Sequence, residues 1–168
     1  MKTFKGKPIT LLGDALKVGD KAPDFKVVDN HLEEVNLSDF TNDYLVISVV
    51  PSLDTAVCDL QTKSVNEELL VTNHVDLKVL TISMDLPFAQ ARWVDQEELE
   101  GIVTLSDYLY KDFGMKFGVL IEELNLLARS VFVLNKKREV VYKLEVDEMT
   151  QHLDFDLLLN FINELPGK

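Results

Sequence analysis

The sequence predicts an α/β fold, a layered sheet with helices on its faces. Apolar, β-branched runs alternate with helix-forming segments along the chain, the pattern of strands covered by helices. The link between the two middle strand runs, Tyr44–Val50 and Leu77–Ser83, is long enough for a helical crossover, so those strands should be parallel. No repeat, low-complexity tract or linker breaks the order, and residues 1–168 are expected to form a single domain.

Each element has a local reason. Thr3 to Leu12 alternates apolar and polar residues around Gly6-Lys7-Pro8, which predicts a short hairpin. Val18-Gly19-Asp20-Lys21-Ala22-Pro23 is a turn-rich link into a strand at Asp24–Val28. Val35–Leu37 is placed to pair with that strand, and Ser38 to cap a short helical turn. Tyr44 to Val50 is the strongest strand signal and Pro51 closes it. A helix follows from about Thr55 to about Leu70, then a strand at Leu77–Ser83. Pro87 sits in the first turn of the next helix, where its missing N–H does no harm. Ile102–Leu105 reads as a short strand and Lys111–Gly118 as a short helix and loop. Ser130–Leu134 and Val140–Leu144 are two strands joined by Asn135-Lys136-Lys137-Arg138-Glu139. The last helix runs from Phe155 to Leu165 and stops at Pro166-Gly167.

Charge excludes several classes of partner. With 17 basic and 29 acidic residues the formal charge is −12, spread along the chain rather than gathered in a tail. Nucleic acid and anionic membranes both need basic patches, so neither is expected. No stretch approaches the ~20 apolar residues that span a bilayer. Met1 to Pro8 carries positive charge without an apolar run behind it, unlike a signal peptide. A cytoplasmic location follows as the expectation. His31, His74 and His152 lie far apart with no ligand spacing, and no glycine-rich phosphate loop occurs, so neither a metal nor a cofactor is expected. Gly-x-Ser-x-Gly is absent. The acidic run Asp95–Glu100 reads as a solvated helix end, and Phe88 and Trp93 as core or dimer-interface aromatics, with pocket lining second.

The single cysteine, Cys58, falls in Pro51-Ser52-Leu53-Asp54-Thr55-Ala56-Val57-Cys58, between a strand and a helix. With Thr55 as N-cap, Cys58 is N3, and the Thr55 hydroxyl can accept from the Cys58 N–H. Free N–H groups and the positive end of the helix dipole then surround the sulfur, an environment that favours the reactive thiolate. Pro51 has no N–H to compete for the sulfur and can wall one side. Asp54 and Asp59 oppose the thiolate, so a cation is needed. The alternative is a small buried hydrophobe, the usual fate of a free cysteine.

Pro51-x-x-x-Thr55-x-x-Cys58 resembles the active-site motif of the peroxiredoxins, and the wider chain resembles their bacterial thiol peroxidase branch. Val18–Phe25, Asn66-Glu67-Glu68, Asp85–Gln90, Thr104–Asp107, Gly118–Ile121 and Leu126-Leu127-Ala128-Arg129 carry the match in family order. The resemblance implies a thioredoxin-like fold, a central mixed sheet flanked by helices with an N-terminal β-hairpin, and a homodimer. It implies a thiol-specific peroxidase for hydrogen peroxide and organic hydroperoxides, with Cys58 as peroxidatic nucleophile. Thr55 would then bond peroxide and sulfur, Pro51 would shield the pocket, and Arg129 would be the missing cation.

One departure matters. Members of that branch carry a second cysteine after an aromatic residue, where this chain reads Trp93-Val94. A Cys58 sulfenic acid therefore has no partner thiol within the chain. Resolution by an external thiol, thioredoxin or a small molecule, is the first reading. Pairing of two Cys58 sulfurs from separate chains is another. The third is a redox sensor or inactive scaffold oxidised at Cys58 without efficient turnover.

Overall fold

The run Tyr44-Leu45-Val46-Ile47-Ser48-Val49 forms the strand around which the chain is built. The computed structural model describes residues 1–72, 74–99 and 101–167, the side chain of Leu70 excepted. Strands β1 (Thr3–Phe4), β2 (Lys7–Pro8), β3 (Leu11–Leu12), β4 (Lys26–Val28), β5 (Glu34–Asn36) and β6 (Tyr44–Val49) precede helix α1 (Ala56–Leu70). Then come β7 (Leu77–Ser83), α2 (Pro87–Glu97), β8 (Val103–Ser106) and α3 (Asp112–Phe117). The chain closes with β9 (Leu120–Ile121), β10 (Leu126–Leu127), β11 (Ser130–Leu134), β12 (Val140–Glu145) and α4 (Phe155–Asn163).

The main sheet has the order β12-β11-β6-β7-β8-β4-β5. β6, β7 and β8 are parallel; β11 and β12 continue antiparallel on one side, β4 and β5 on the other. This mixed, helix-covered sheet with its β1–β2 hairpin is the thioredoxin-like arrangement expected.

Alternation along the central strands divides the core. Leu45, Ile47 and Val49, with Leu80, Ile82, Phe132 and Leu134, face Phe25, Phe113, Phe117 and Leu120. Val46, Val79, Val131 and Val133 face Val65 and Leu69 of α1 and Leu158 and Ile162 of α4. Both faces are buried, so the central strands are largely apolar, with Ser48, Thr81 and Ser83 buried among the aliphatic residues. Gly118 closes α3 at φ 69°, and a Cβ there would lie 2.6 Å from the Ala15 backbone. Among the described residues no helix is long and apolar enough to cross a membrane.

Several expectations need correction. The hairpin is confined to β1 and β2, while β3 leaves it to pair with β9 in a separate three-stranded sheet with β10. β4 starts at Lys26 rather than Asp24, because the Asp24 carboxylate turns to accept from the Ser38 N–H and hydroxyl. Ser38 therefore does not cap the turn at Leu37–Asp39, which begins after Asn36. Of the two aromatics expected in the core or at a dimer interface, Phe88 is 67% exposed, which removes only the core half of its reading, whereas Trp93 is buried. Of the acidic run, Glu97 is drawn into an ion pair with Lys63, and Glu100 lies outside the described residues.

Candidate active site

Two sheet registers and one helix cap bring the sequence-singled residues together. β6 runs into buried Pro51, and the chain then turns through 52–55 into α1. Thr55 is the N-cap of α1 in extended conformation, and its hydroxyl accepts from the Cys58 N–H at 3.3 Å. The same hydroxyl donates to the Ser52 carbonyl at 3.3 Å. Cys58 is 0% exposed and packs with Val50, Leu53 and Trp93.

Arg129 arrives from the opposite direction. Ser130 of β11 pairs with Val49 of β6 in antiparallel register, so the residue before Ser130 lies beside the C-terminal end of β6. Arg129 is only 2% exposed, unlike an ordinary surface charge. Its Nη2 donates to Cys58 Sγ at 3.0 Å, Nη1 to Gln61 Oε1 at 2.9 Å and Nε to the Met149 carbonyl at 2.9 Å. Its own backbone N–H donates to Met149 Sδ at 3.2 Å. Gln61 is fixed in turn, its Nε2 donating to Ser48 Oγ at 2.9 Å and to the Val49 carbonyl at 3.3 Å. The guanidinium is thus held in one plane by directed bonds, which its fork permits and an ammonium does not. Among the described residues it makes no ion pair with a carboxylate; Nη2 faces sulfur instead.

Asp59 does not act on the sulfur unopposed. Its Oδ1 accepts from Trp93 Nε1 at 2.8 Å and its Oδ2 pairs with Lys63 at 3.0 Å. Lys63 also reaches Glu97 at 2.7 Å, clamping α1 to α2, and both partners raise its pKa above the ordinary lysine value. Asp54 is exposed. A cavity of about 330 Å³, lined by Leu53, Asp54, Thr55, Ala56, Asp59, Trp93 and Glu97, opens over the first turn of α1. Leu53 and Trp93 are shared between its wall and the apolar cluster that holds Cys58.

The structure thus joins Pro51, Thr55, Cys58 and Arg129 at one end of β6. Sequence reasoning missed Gln61 and Met149. Gln61 stands three residues after Cys58, so it shares the helix face of the sulfur, a signal present in the spacing. Met149 acts mainly through a backbone carbonyl and carries no side-chain signature. Among the described residues no group of three or more His, Cys, Asp or Glu gathers to hold a metal.

The AhpC/TSA family model matches residues 18–143. A thiol peroxidase of Bacillus subtilis is 52% identical over 154 residues, 92% of this chain and 91% of that protein. A thiol peroxidase of Oceanobacillus iheyensis is 48% identical over 162 residues, 96% of this chain and 98% of its own length. Among solved structures, a peroxiredoxin-like protein from Aquifex aeolicus superposes with a TM-score of 0.88 at 38% identity, covering 97% of this chain and 95% of that one.

Proposed function

We propose a mechanism that starts from one fact: the chain belongs to the AhpC/TSA family. It is a thiol-dependent peroxidase, a peroxiredoxin-type enzyme that takes a peroxide as substrate and a thiol as reductant. Cys58 is the nucleophile. Its thiolate attacks one peroxide oxygen, forming an S–O bond with the sulfur electron pair while the O–O bond breaks. The departing oxygen leaves with the O–O pair, takes a proton and becomes water or an alcohol; sulfur is left as sulfenic acid.

Negative charge grows on the leaving oxygen, so donors aimed there stabilise the transition state more than the ground state. Arg129 supplies the fixed charge. Thr55 supplies the hydroxyl, whose one proton turns from the Ser52 carbonyl to the leaving oxygen when peroxide enters, and Pro51 keeps water from the wall of the pocket. The observation that supports this reading most directly is the 3.0 Å bond from a buried guanidinium to a buried sulfur. A buried cation needs a negative partner, and the thiolate is the group in place to be one.

With one cysteine in the chain, reduction needs an external thiol. That thiol attacks the sulfenic sulfur, expelling water and leaving a mixed disulfide; a second thiol then releases Cys58 and carries the disulfide away. Thioredoxin or a small-molecule thiol fills this role. The working form is a homodimer, a reading supported by the exposed apolar residues Leu86 and Phe88.

Stopped-flow mixing with hydrogen peroxide and cumene hydroperoxide tests the reading. The wild type should oxidise orders of magnitude faster than a free thiol, and Cys58→Ser should not react. Wild-type reaction no faster than a free thiol overturns it. Rapid oxidation that neither thioredoxin nor small thiols reverse would instead identify a redox sensor, the second reading that the Val94 substitution for cysteine favours.

A further inference from the structure

The loop that presents Pro51 and Thr55 is held from outside by a carboxylate with no part in the chemistry above. We propose that Asp85 is a positioning residue for peroxide reduction. It sets the 51–55 loop, and through it the direction of the Thr55 hydroxyl, without touching Cys58 or substrate. This assignment rests on the peroxidase reading.

The parallel register explains how Asp85 gets there. Val49 of β6 pairs with Ile82 of β7, and the Val50 N–H donates to the Ile82 carbonyl at 3.1 Å. The two strands therefore end side by side, and the segment after β7 lies against the segment after β6. Asp85 Oδ1 accepts from Ser52 Oγ at 2.7 Å. Its Oδ2 accepts from the Leu53 N–H at 2.8 Å and from Ser83 Oγ at 2.7 Å.

These bonds run on to the catalytic loop in a directed order. Ser52 Oγ accepts from the Asp54 N–H at 3.1 Å and gives its one proton to Asp85. The Ser52 carbonyl accepts from the Thr55 hydroxyl at 3.3 Å and from the Thr55 N–H at 3.4 Å. The Thr55 hydroxyl, its proton directed at Ser52, turns a lone pair to the Cys58 N–H. A shift of Ser52 re-aims the hydroxyl at the mouth of the pocket.

Asp85 is itself braced by buried groups. Ser83 Oγ accepts from the Asp85 N–H and from Gln90 Nε2, so its proton is committed to the Asp85 carboxylate. Ser106 Oγ donates to the Asp85 carbonyl. Ser83, Gln90 and Ser106 are fully buried. Three donors converge on the two carboxylate oxygens, a site that an acceptor-only group satisfies. An amide of the same shape has one acceptor oxygen, and its NH₂ would face a donor.

The test measures Cys58 reaction with hydrogen peroxide and, separately, with iodoacetamide at one pH, in wild type, Asp85→Asn, Ser52→Ala and the double variant. Alkylation needs an available sulfur but no aligned hydroxyl. Asp85→Asn should slow the peroxide reaction about tenfold or more, as loss of alignment does, while alkylation changes less than about twofold. Ser52→Ala should lower the peroxide-to-alkylation ratio in the same direction, and the double variant should lose little more than Asp85→Asn alone. An unchanged peroxide rate, equal losses with both reagents or additive losses overturn the assignment. Should Asp85→Asn fail to fold, an unchanged ratio in Ser52→Ala overturns it equally. A wild-type reaction no faster than a free thiol fails at the earlier step, by removing the peroxidase reading itself.

Discussion

Arg129 shows how a side chain with no local signature becomes a buried cation fixed by directed bonds. Its guanidinium reaches the Cys58 sulfur, the Gln61 oxygen and the Met149 carbonyl at once. Arg129→Lys keeps one charge but loses the fork, leaving the buried Gln61 oxygen and Met149 carbonyl without the donors they have now. The rate of oxidation by hydrogen peroxide should fall about 100-fold or more, the scale of removing a transition-state donor. Stopped-flow kinetics checks it; a loss under threefold would mean that charge alone is enough. Pro51, Thr55 and Cys58 were legible because their geometry is local, within eight residues of one strand–helix junction. Arg129 was legible only through family resemblance, since its position depends on a register set 80 residues away, Ser130 against Val49. Met149 was not legible at all, because a backbone acceptor can be any residue.

The strands and helices differ in the same way. β6, β7 and β11 could be read from the chain because a strand buried on both faces is largely apolar, while β12, a part-buried edge strand, begins with the β-prone run Val140-Val141-Tyr142. β9 and β10, two residues each, have no pattern to read; β9 is a strand because Leu11 and Leu12 of β3 pair on one side of it and Leu126 and Leu127 of β10 on the other. α1 and α2 meet over the active site through Trp93, Asp59, Lys63 and Glu97, and Val94 packs against the cluster that holds Cys58. Restoring a thiol there should therefore restore internal resolution. In Val94→Cys, one equivalent of peroxide is expected to give an intramolecular disulfide, water being expelled as the new thiol attacks the sulfenic sulfur. Mass spectrometry under non-reducing conditions would show the loss of two hydrogens, and thioredoxin should then drive turnover. If only the sulfenic or overoxidised form appears, the clamp between α1 and α2 holds the two sulfurs beyond the narrow geometry a disulfide needs.

Across the whole molecule, the terminal segments support the site, and two carboxyl groups, one in that joint and one at the start of α3, make stability depend on pH with opposite signs. The Met149 N–H donates to the Thr3 carbonyl and the Thr3 N–H to the Asp147 carbonyl, so the β1–β2 hairpin braces the segment whose carbonyl holds Arg129. Glu148 ties the same joint. The Thr150 hydroxyl, the Gly6 N–H and the Thr150 N–H hold its carboxyl down at about 2. Its contribution is therefore complete above the ordinary glutamate range and lost as pH falls toward 2. Asp107 runs the other way. It is fully buried at the end of β8, and burial raises its pKa from 3.8 to about 6 even though the Gly114 and Phe113 N–H groups oppose the shift; the nearby Asp112 charge adds to the rise. The folded state thus binds this proton more tightly than the unfolded chain. Its stabilising contribution is complete below about 3.8 and is lost as pH rises through about 6. Asp107→Asn imitates the protonated carboxyl, with an acceptor for one of the two N–H groups that now face it. Between pH 4 and 7 the stability of the variant relative to wild type should rise by about 2–3 kcal/mol, the size of a two-unit shift. Urea unfolding at a series of pH values measures the difference, and a gap that stays constant with pH would show that Asp107 keeps its charge through the whole range.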